Sequence, residues 1–90
     1  MTCMIYLDHN ATTSVLPEVS EAMIPYFTSE WGNPSSAYKF GSKLKGAIEE
    51  ARGQVAALIG AQLREVIFTS CGTESNNAAI HAALQANPQK

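Results

Sequence analysis

Cysteine is scarce in this 90-residue chain. Cys3 and Cys71 are the two present, and they form no CxxC pair and no disulfide framework. No His cluster stands at metal-ligand spacing, so no metal site is expected. Long apolar runs are also missing. Nothing approaches the ~20 residues of a membrane span, and the start of the chain has Asp8 early and no signal-peptide core. A cytoplasmic protein with reduced thiols and no membrane partner is expected. The triplet Asn10-Ala11-Thr12 has the form of a glycosylation site, and on this reading it carries no sugar. The nucleotide-binding patterns GxxxxGK[ST] and GxGxxG are absent.

Charge is sparse as well, at 16% of residues with a net charge of −2. Residues 1–38 contain no Lys or Arg. Lys39, Lys43, Lys45 and Arg52 then follow, partly balanced by Glu49 and Glu50. This pattern reads as a solvated helix face, and no nucleic-acid partner is expected. A chain of this length buries a little over ~60% of its unfolded surface, enough for one modest core.

The elements follow from pattern. Met4-Ile5-Tyr6-Leu7 reads as a strand ending in a turn at Asp8-His9-Asn10, so residues 1–16 form an opening strand and loop. A helix is expected over 17–30. Pro17 sits where its missing N–H is harmless, and Glu18 and Glu21 suit the positive end of the dipole. Pro25 should kink it. Trp31 to Ser36 is a loop. A second helix is expected over 37–60, with Leu44, Ala47, Ile48, Ala51, Val55, Leu58 and Ile59 in one stripe and Gly60 as its stop. Gly46 and Gly53 inside it either admit another backbone or are merely tolerated. Residues 66–70 read as a strand and 73–87 as a third helix. The order β-α-α-β-α is an α/β pattern. Two strands leave open edges, so the sheet is expected to be incomplete.

The strand–Gly–Thr–helix junction carries the chemistry. The first N–H groups of a helix lack intrahelical acceptors, and with the dipole they attract an anion. Gly72 lets the anion approach, while Thr73 and Ser75 add hydroxyls. Without a nucleotide signature, a small phosphorylated cofactor or substrate fits. A well-capped turn with no ligand is the other reading. Cys71 is read either as a small buried residue or as a thiol with a lowered pKa at the helix start. His9 either faces a site or holds its turn, and His81 is expected on the surface of its helix.

Several ordered segments together resemble one family. They are Tyr6-Leu7-Asp8-His9-Asn10-Ala11-Thr12-Thr13, Gly32-Asn33-Pro34-Ser35-Ser36, Phe40-Gly41, Glu50-Ala51-Arg52 and Ile67 to Asn77. They are similar to the N-terminal motifs of NifS/IscS-type cysteine desulfurases, which are fold-type I, class V enzymes dependent on pyridoxal 5'-phosphate. The resemblance spans essentially the whole chain and the opening part of that longer family chain. It implies a partial fold-type I transferase in which Gly72 and Thr73 hold the cofactor phosphate. Asn10, Ala11 and Thr12 would line the active-site wall, and Gly32 to Ser36 would form either a loop near a dimer interface or a plain turn.

The resemblance further implies an activity for the parent protein. L-Cysteine would be converted to L-alanine and an enzyme-bound persulfide for iron–sulfur cluster assembly, nitrogenase clusters among them. The expected partners are a second copy in a homodimer and an iron–sulfur scaffold or other sulfur acceptor. The family's cofactor lysine and nucleophilic cysteine have no counterpart here, because Lys39, Lys43, Lys45 and Lys90 lie outside the lysine motif. No catalytic residue is therefore expected in this chain, and alone it should be inactive. The sequence departs from the family where Tyr38 replaces a usual His, Ser14 a frequent Pro and Cys71 a frequent Gly. A non-catalytic fragment that binds phosphate or a partner chain remains open, as does a sister class V enzyme such as a selenocysteine lyase or an aminotransferase.

Overall fold

The structure is a computed structural model and describes residues 3–89. Met1, Thr2 and Lys90, the ends of the expected opening segment and of the chain, lie outside the described residues. The elements are α1 (Pro17–Met23), α2 (Pro25–Thr28), α3 (Lys39–Ile59), a 3₁₀ turn at Leu63–Glu65 and α4 (Gly72–Ala86). The chain divides into two compact units, Met1–Gly46 and Ala47–Lys90.

In the first unit, Leu16 is extended and Pro17 starts α1. The helix expected over 17–30 is broken at Ile24. Pro25 has no N–H to offer the carbonyl of Glu21, so the hydrogen-bond ladder loses a rung there. The backbone stays helical at Ile24 and resumes as α2. It closes where Ser29 and Glu30 both donate to the Pro25 carbonyl, at 3.0 and 2.7 Å.

The loop after α2 is held against the start of α3. Trp31 meets Phe40 edge to face at 4.9 Å between centroids. Lys43 pairs with Glu30 at 2.6 Å and lies 5.5 Å from the Phe40 ring centre. Asn33 turns the chain twice over: its side chain accepts from the Ser35 N–H at 2.9 Å and its carbonyl from the Ser36 N–H at 3.0 Å. Gly41 faces this turn. A Cβ there would stand 2.3 Å from the Asn33 carbonyl oxygen and 2.7 Å from the Ser36 Cβ, so only glycine fits.

In the second unit, α3 ends as its sequence dictates. Gly60 takes φ +68°, a conformation glycine adopts without strain. Ala61 donates back to the Ala56 carbonyl at 2.8 Å, closing a Schellman stop. Ala56 is buried, whereas Leu58 and Ile59 at the end of the apolar stripe are exposed. Added Cβ atoms would meet nothing within 4 Å at Gly46 and only the Leu63 side chain at Gly53. No backbone approaches either glycine among the described residues.

The two expected strands are not formed among the described residues, so the observed order is helix, helix, helix, 3₁₀ turn, helix. The physical reason is the missing ladder. An extended segment becomes a strand when a neighbour exchanges backbone hydrogen bonds with it. Val66 has extended angles (φ −107°, ψ 123°), but residues 66–70 have no such neighbour within their unit. Met4, Ile5 and Leu7 are each at least 80% exposed, so residues 4–7 have neither ladder nor cover. Among the described residues, the buried apolar side chains are Leu44, Ala56 and Val66.

Candidate functional site

The turn from Thr69 into α4 is built by its own polar side chains. Cys71 is the N-cap residue, with extended angles (φ −168°, ψ 171°) and no side-chain capping bond of hydrogen-bond geometry. Ser75 is the first residue to donate within the helix, to the Cys71 carbonyl at 3.1 Å. The N–H groups of Gly72, Thr73 and Glu74 precede it and have no intrahelical acceptor. At Gly72 an added Cβ would meet nothing within 4 Å, and residues 71–75 are all exposed.

Glu74 turns back out of the helix. Its Oε2 accepts from the Ser70 N–H at 2.8 Å and from the Ser70 hydroxyl at 2.5 Å. These two bonds, the hydroxyl first, hold the Glu74 carboxyl below its ordinary value. The carboxylate is thereby fixed on the Ser70 side of the turn. The Thr69 hydroxyl donates to the Cys71 carbonyl at 3.1 Å and lies 2.5 Å from the Ser75 hydroxyl, a bond in which Ser75 donates. Thr69, Ser70, Glu74 and Ser75 thus brace the turn from both sides.

Cys71 is exposed, which corrects the buried reading. Its thiol is held below the ordinary value chiefly by the Glu74 backbone N–H, then by the Ser70 hydroxyl, with smaller help from Thr73. A thiolate at a helix start gains from the same unpaired amides that favour any anion.

The other expected site residues lie in the first unit. Ala11 and Thr12 donate to the Asp8 carbonyl at 3.0 and 3.4 Å, so Asn10, Ala11 and Thr12 form one turn. The Tyr6 hydroxyl stands 3.0 Å from the Asp8 carbonyl and 2.9 Å from that of Thr12, clipping the turn shut. His9 bonds the Thr13 hydroxyl through Nδ1 at 2.9 Å and meets Tyr6 edge to face at 4.9 Å, which is the turn-holding role. His81 is exposed on α4.

Sequence reasoning missed the Tyr6 clip and the grip of Arg52 on residues 66–68. Arg52 had a visible signal, since it borders the apolar stripe between Ile48 and Val55 where a solvated cation is out of place.

Residues 5–90 match the family described as aminotransferase class-V. The chain belongs to this class V family. Similar relatives include "Cysteine desulfurase 2" of Trichormus variabilis, 61% identical over 87 residues, which are 97% of this chain and 22% of the relative. "Cysteine desulfurase NifS" of Azotobacter vinelandii is 49% identical over 87 residues, 96% of this chain and 22% of the relative. "Cysteine desulfurase IscS" of Rickettsia bellii is 57% identical over 77 residues, 84% of this chain and 19% of the relative. The chain therefore spans about a fifth of the length of these relatives. Class V membership implies pyridoxal phosphate as cofactor. The α4 turn fits the phosphate of that group: amides without intrahelical acceptors, an uncrowded glycine and adjacent hydroxyls, with the nearby carboxylate already bound to Ser70. No helix among the described residues is long and apolar enough to cross a membrane.

Proposed function

We propose that this chain forms the phosphate-binding wall of a pyridoxal phosphate-dependent cysteine desulfurase. The observation that carries the reading is the exposed first turn of α4, whose amides have no intrahelical acceptor and whose Gly72 is uncrowded. The identity to relatives named cysteine desulfurase supports this substrate class over the sister activities of class V. In this reading Gly72 and Thr73 hold the phosphate, and the turn at Asn10, Ala11 and Thr12 belongs to the active-site wall. When bound, the cofactor supplies an electron sink for reaction at the amino acid.

The chain's own residues bind and orient. The amides at the start of α4, which have no intrahelical acceptor, offer donors to a dianion in competition with the Cys71 thiol, and the Thr73 hydroxyl adds one more. The Ser70–Glu74 bonds keep a competing carboxylate from the mouth. The reaction proposed for the whole protein transfers the sulfur of L-cysteine to an enzyme thiol. L-Alanine leaves, and the enzyme keeps a persulfide for an iron–sulfur scaffold or another acceptor. The thiol and the cofactor lysine come from residues outside this chain, and the working form is a homodimer.

The test is expression of the complete gene, followed by incubation with L-cysteine and a thiol reductant. Alanine and sulfide in equal amounts are expected. Bound cofactor without alanine would refute the desulfurase reading and favour a sister class V reaction. Thr73→Ala should weaken cofactor affinity about tenfold, since one hydrogen bond to a charged group is lost. Unchanged affinity would remove the phosphate role from this turn.

A further inference from the structure

We propose that Arg52 is a positioning residue for the phosphate cradle: it fixes the extended segment that carries Thr69 and Ser70 into α4. The proposal rests on the phosphate reading of that turn. Arg52 lies in the middle of α3, part-buried, and its guanidinium has three partners. One Nη donates to the Val66 carbonyl, fourteen residues further along the chain. Nε donates to Glu49 at 3.1 Å, which sets the plane of the group. Its Cζ also lies over the Phe68 ring, 4.9 Å from the ring centre.

The exposure of the segment agrees with a one-sided grip. Val66 is buried and Phe68 is 47% exposed, while Ile67 between them is 81% exposed. In extended chain, alternate residues share a face, so Arg52 holds 66 and 68 from the same side. The Val66 carbonyl receives from Arg52 the hydrogen bond that a neighbouring strand would otherwise give. A flat guanidinium can donate in its plane and stack on a ring at once, which an ammonium cannot.

The grip continues directly into the cradle. Thr69 follows Phe68, and its hydroxyl bonds the Cys71 carbonyl and Ser75. Ser70 follows, and it binds Glu74 through both N–H and hydroxyl. An unbroken series of contacts therefore leads from Glu49 through Arg52 and residues 66–70 to the first turn of α4. Amides that must converge on one anion lose value when displaced, because a hydrogen bond weakens steeply away from its preferred distance and angle. Arg52 itself does not contact the phosphate. It acts by keeping Ser70 and Thr69 where they brace the turn.

The test uses the full-length protein freed of cofactor, titrated with pyridoxal phosphate and separately with pyridoxal, which has the same ring and aldehyde and no phosphate. The ratio of the two dissociation constants reads the cradle alone. Arg52→Met should reduce the preference for the phosphorylated form about tenfold and leave pyridoxal affinity unchanged. Arg52→Lys keeps a donor and loses the planar stack, so a loss of about threefold is expected. A general structural defect would weaken both ligands alike. Equal weakening of the two, or a preference that survives both substitutions, overturns the role of Arg52. If Arg52→Met does not fold, Arg52→Lys decides by the same ratio. A parent protein with no preference for the phosphorylated form would overturn the phosphate reading itself, and the role of Arg52 with it.

Discussion

Two glycines of one helix should respond to alanine with opposite signs. In Gly41→Ala the new Cβ would stand 2.3 Å from the Asn33 carbonyl oxygen, 2.7 Å from the Ser36 Cβ and 3.2 Å from its hydroxyl. Comfortable separations between such atoms are about 3.5 Å, so the loop must retreat by about 1 Å. The loop is not free to move. Its Asn33 turn is closed by bonds of 2.9 and 3.0 Å to the Ser35 and Ser36 N–H groups. Overpacking of this kind costs about 1–3 kcal/mol, against a helix-propensity gain of at most about 1 kcal/mol. The clash wins. Gly46→Ala meets nothing within 4 Å, so only the propensity gain remains. The two variants should differ by about 2 kcal/mol, with Gly41→Ala the less stable. Urea unfolding followed by helical circular dichroism measures both. The single tryptophan, Trp31, sits edge-on to Phe40 beside the clash and gives a local fluorescence signal. If Gly41→Ala matched or exceeded the parent in stability, the close approach of the 33–36 turn to α3 would be refuted.

Two further outcomes are expected. Tyr6→Phe removes the hydroxyl that clips Asp8 to Thr12, so the amides of Ala11 and Thr12 should exchange faster while those of α3 do not change; the loss is about 0.5–1.5 kcal/mol, and unchanged exchange at both amides would dismiss the clip. The Cys71 thiolate is favoured by the fold, chiefly through the Glu74 N–H, so this contribution is present above the unfolded thiol pKa and is lost as pH falls through the folded one. Alkylation of Cys71, followed by peptide mass against pH, should show a midpoint below that of the urea-unfolded chain and an upward move in Ser70→Ala. A midpoint equal to or above the unfolded one would contradict the geometry of the turn.

How much of this was legible in the sequence depended on how far each feature reaches along the chain. The stop at Gly60 was legible because a Schellman closure uses only neighbouring residues. The weakness at Pro25 was legible because a missing N–H is a property of the residue itself. The start of α4 could be read from Cys71-Gly72-Thr73 to within one residue. Residues 4–7 and 66–70 could not be settled, because strand formation is decided by a partner and not by the β-formers themselves. The role of Gly41 was hidden for a similar reason. It stood in the Phe40-Gly41 motif, but the carbonyl that excludes a side chain belongs to Asn33. The exposure of Cys71 is not legible from the apolar character of a thiol, because the helix start leaves that position open.

The same dependence on reach explains why the turn into α4 can form on a segment that has no strand partner among the described residues. Every bond inside the turn joins residues no more than six apart, from Thr69 to Ser75. Such contacts need little chain closure to form, so they survive where a ladder cannot. The contact of Arg52 with Val66 spans fourteen residues and is the step that ties this local turn to a long helix. Val66 is buried, but Ile67, Leu58 and Ile59 remain exposed in the same unit, so apolar contact fixes the segment mainly at its first residue. Polar bonds to one guanidinium and one carboxylate add the rest. Substitutions at Arg52 or Glu74 should therefore disturb the turn more than an Ile67→Ala change, although Ile67 is apolar and lies closer to the turn than Arg52 does in sequence.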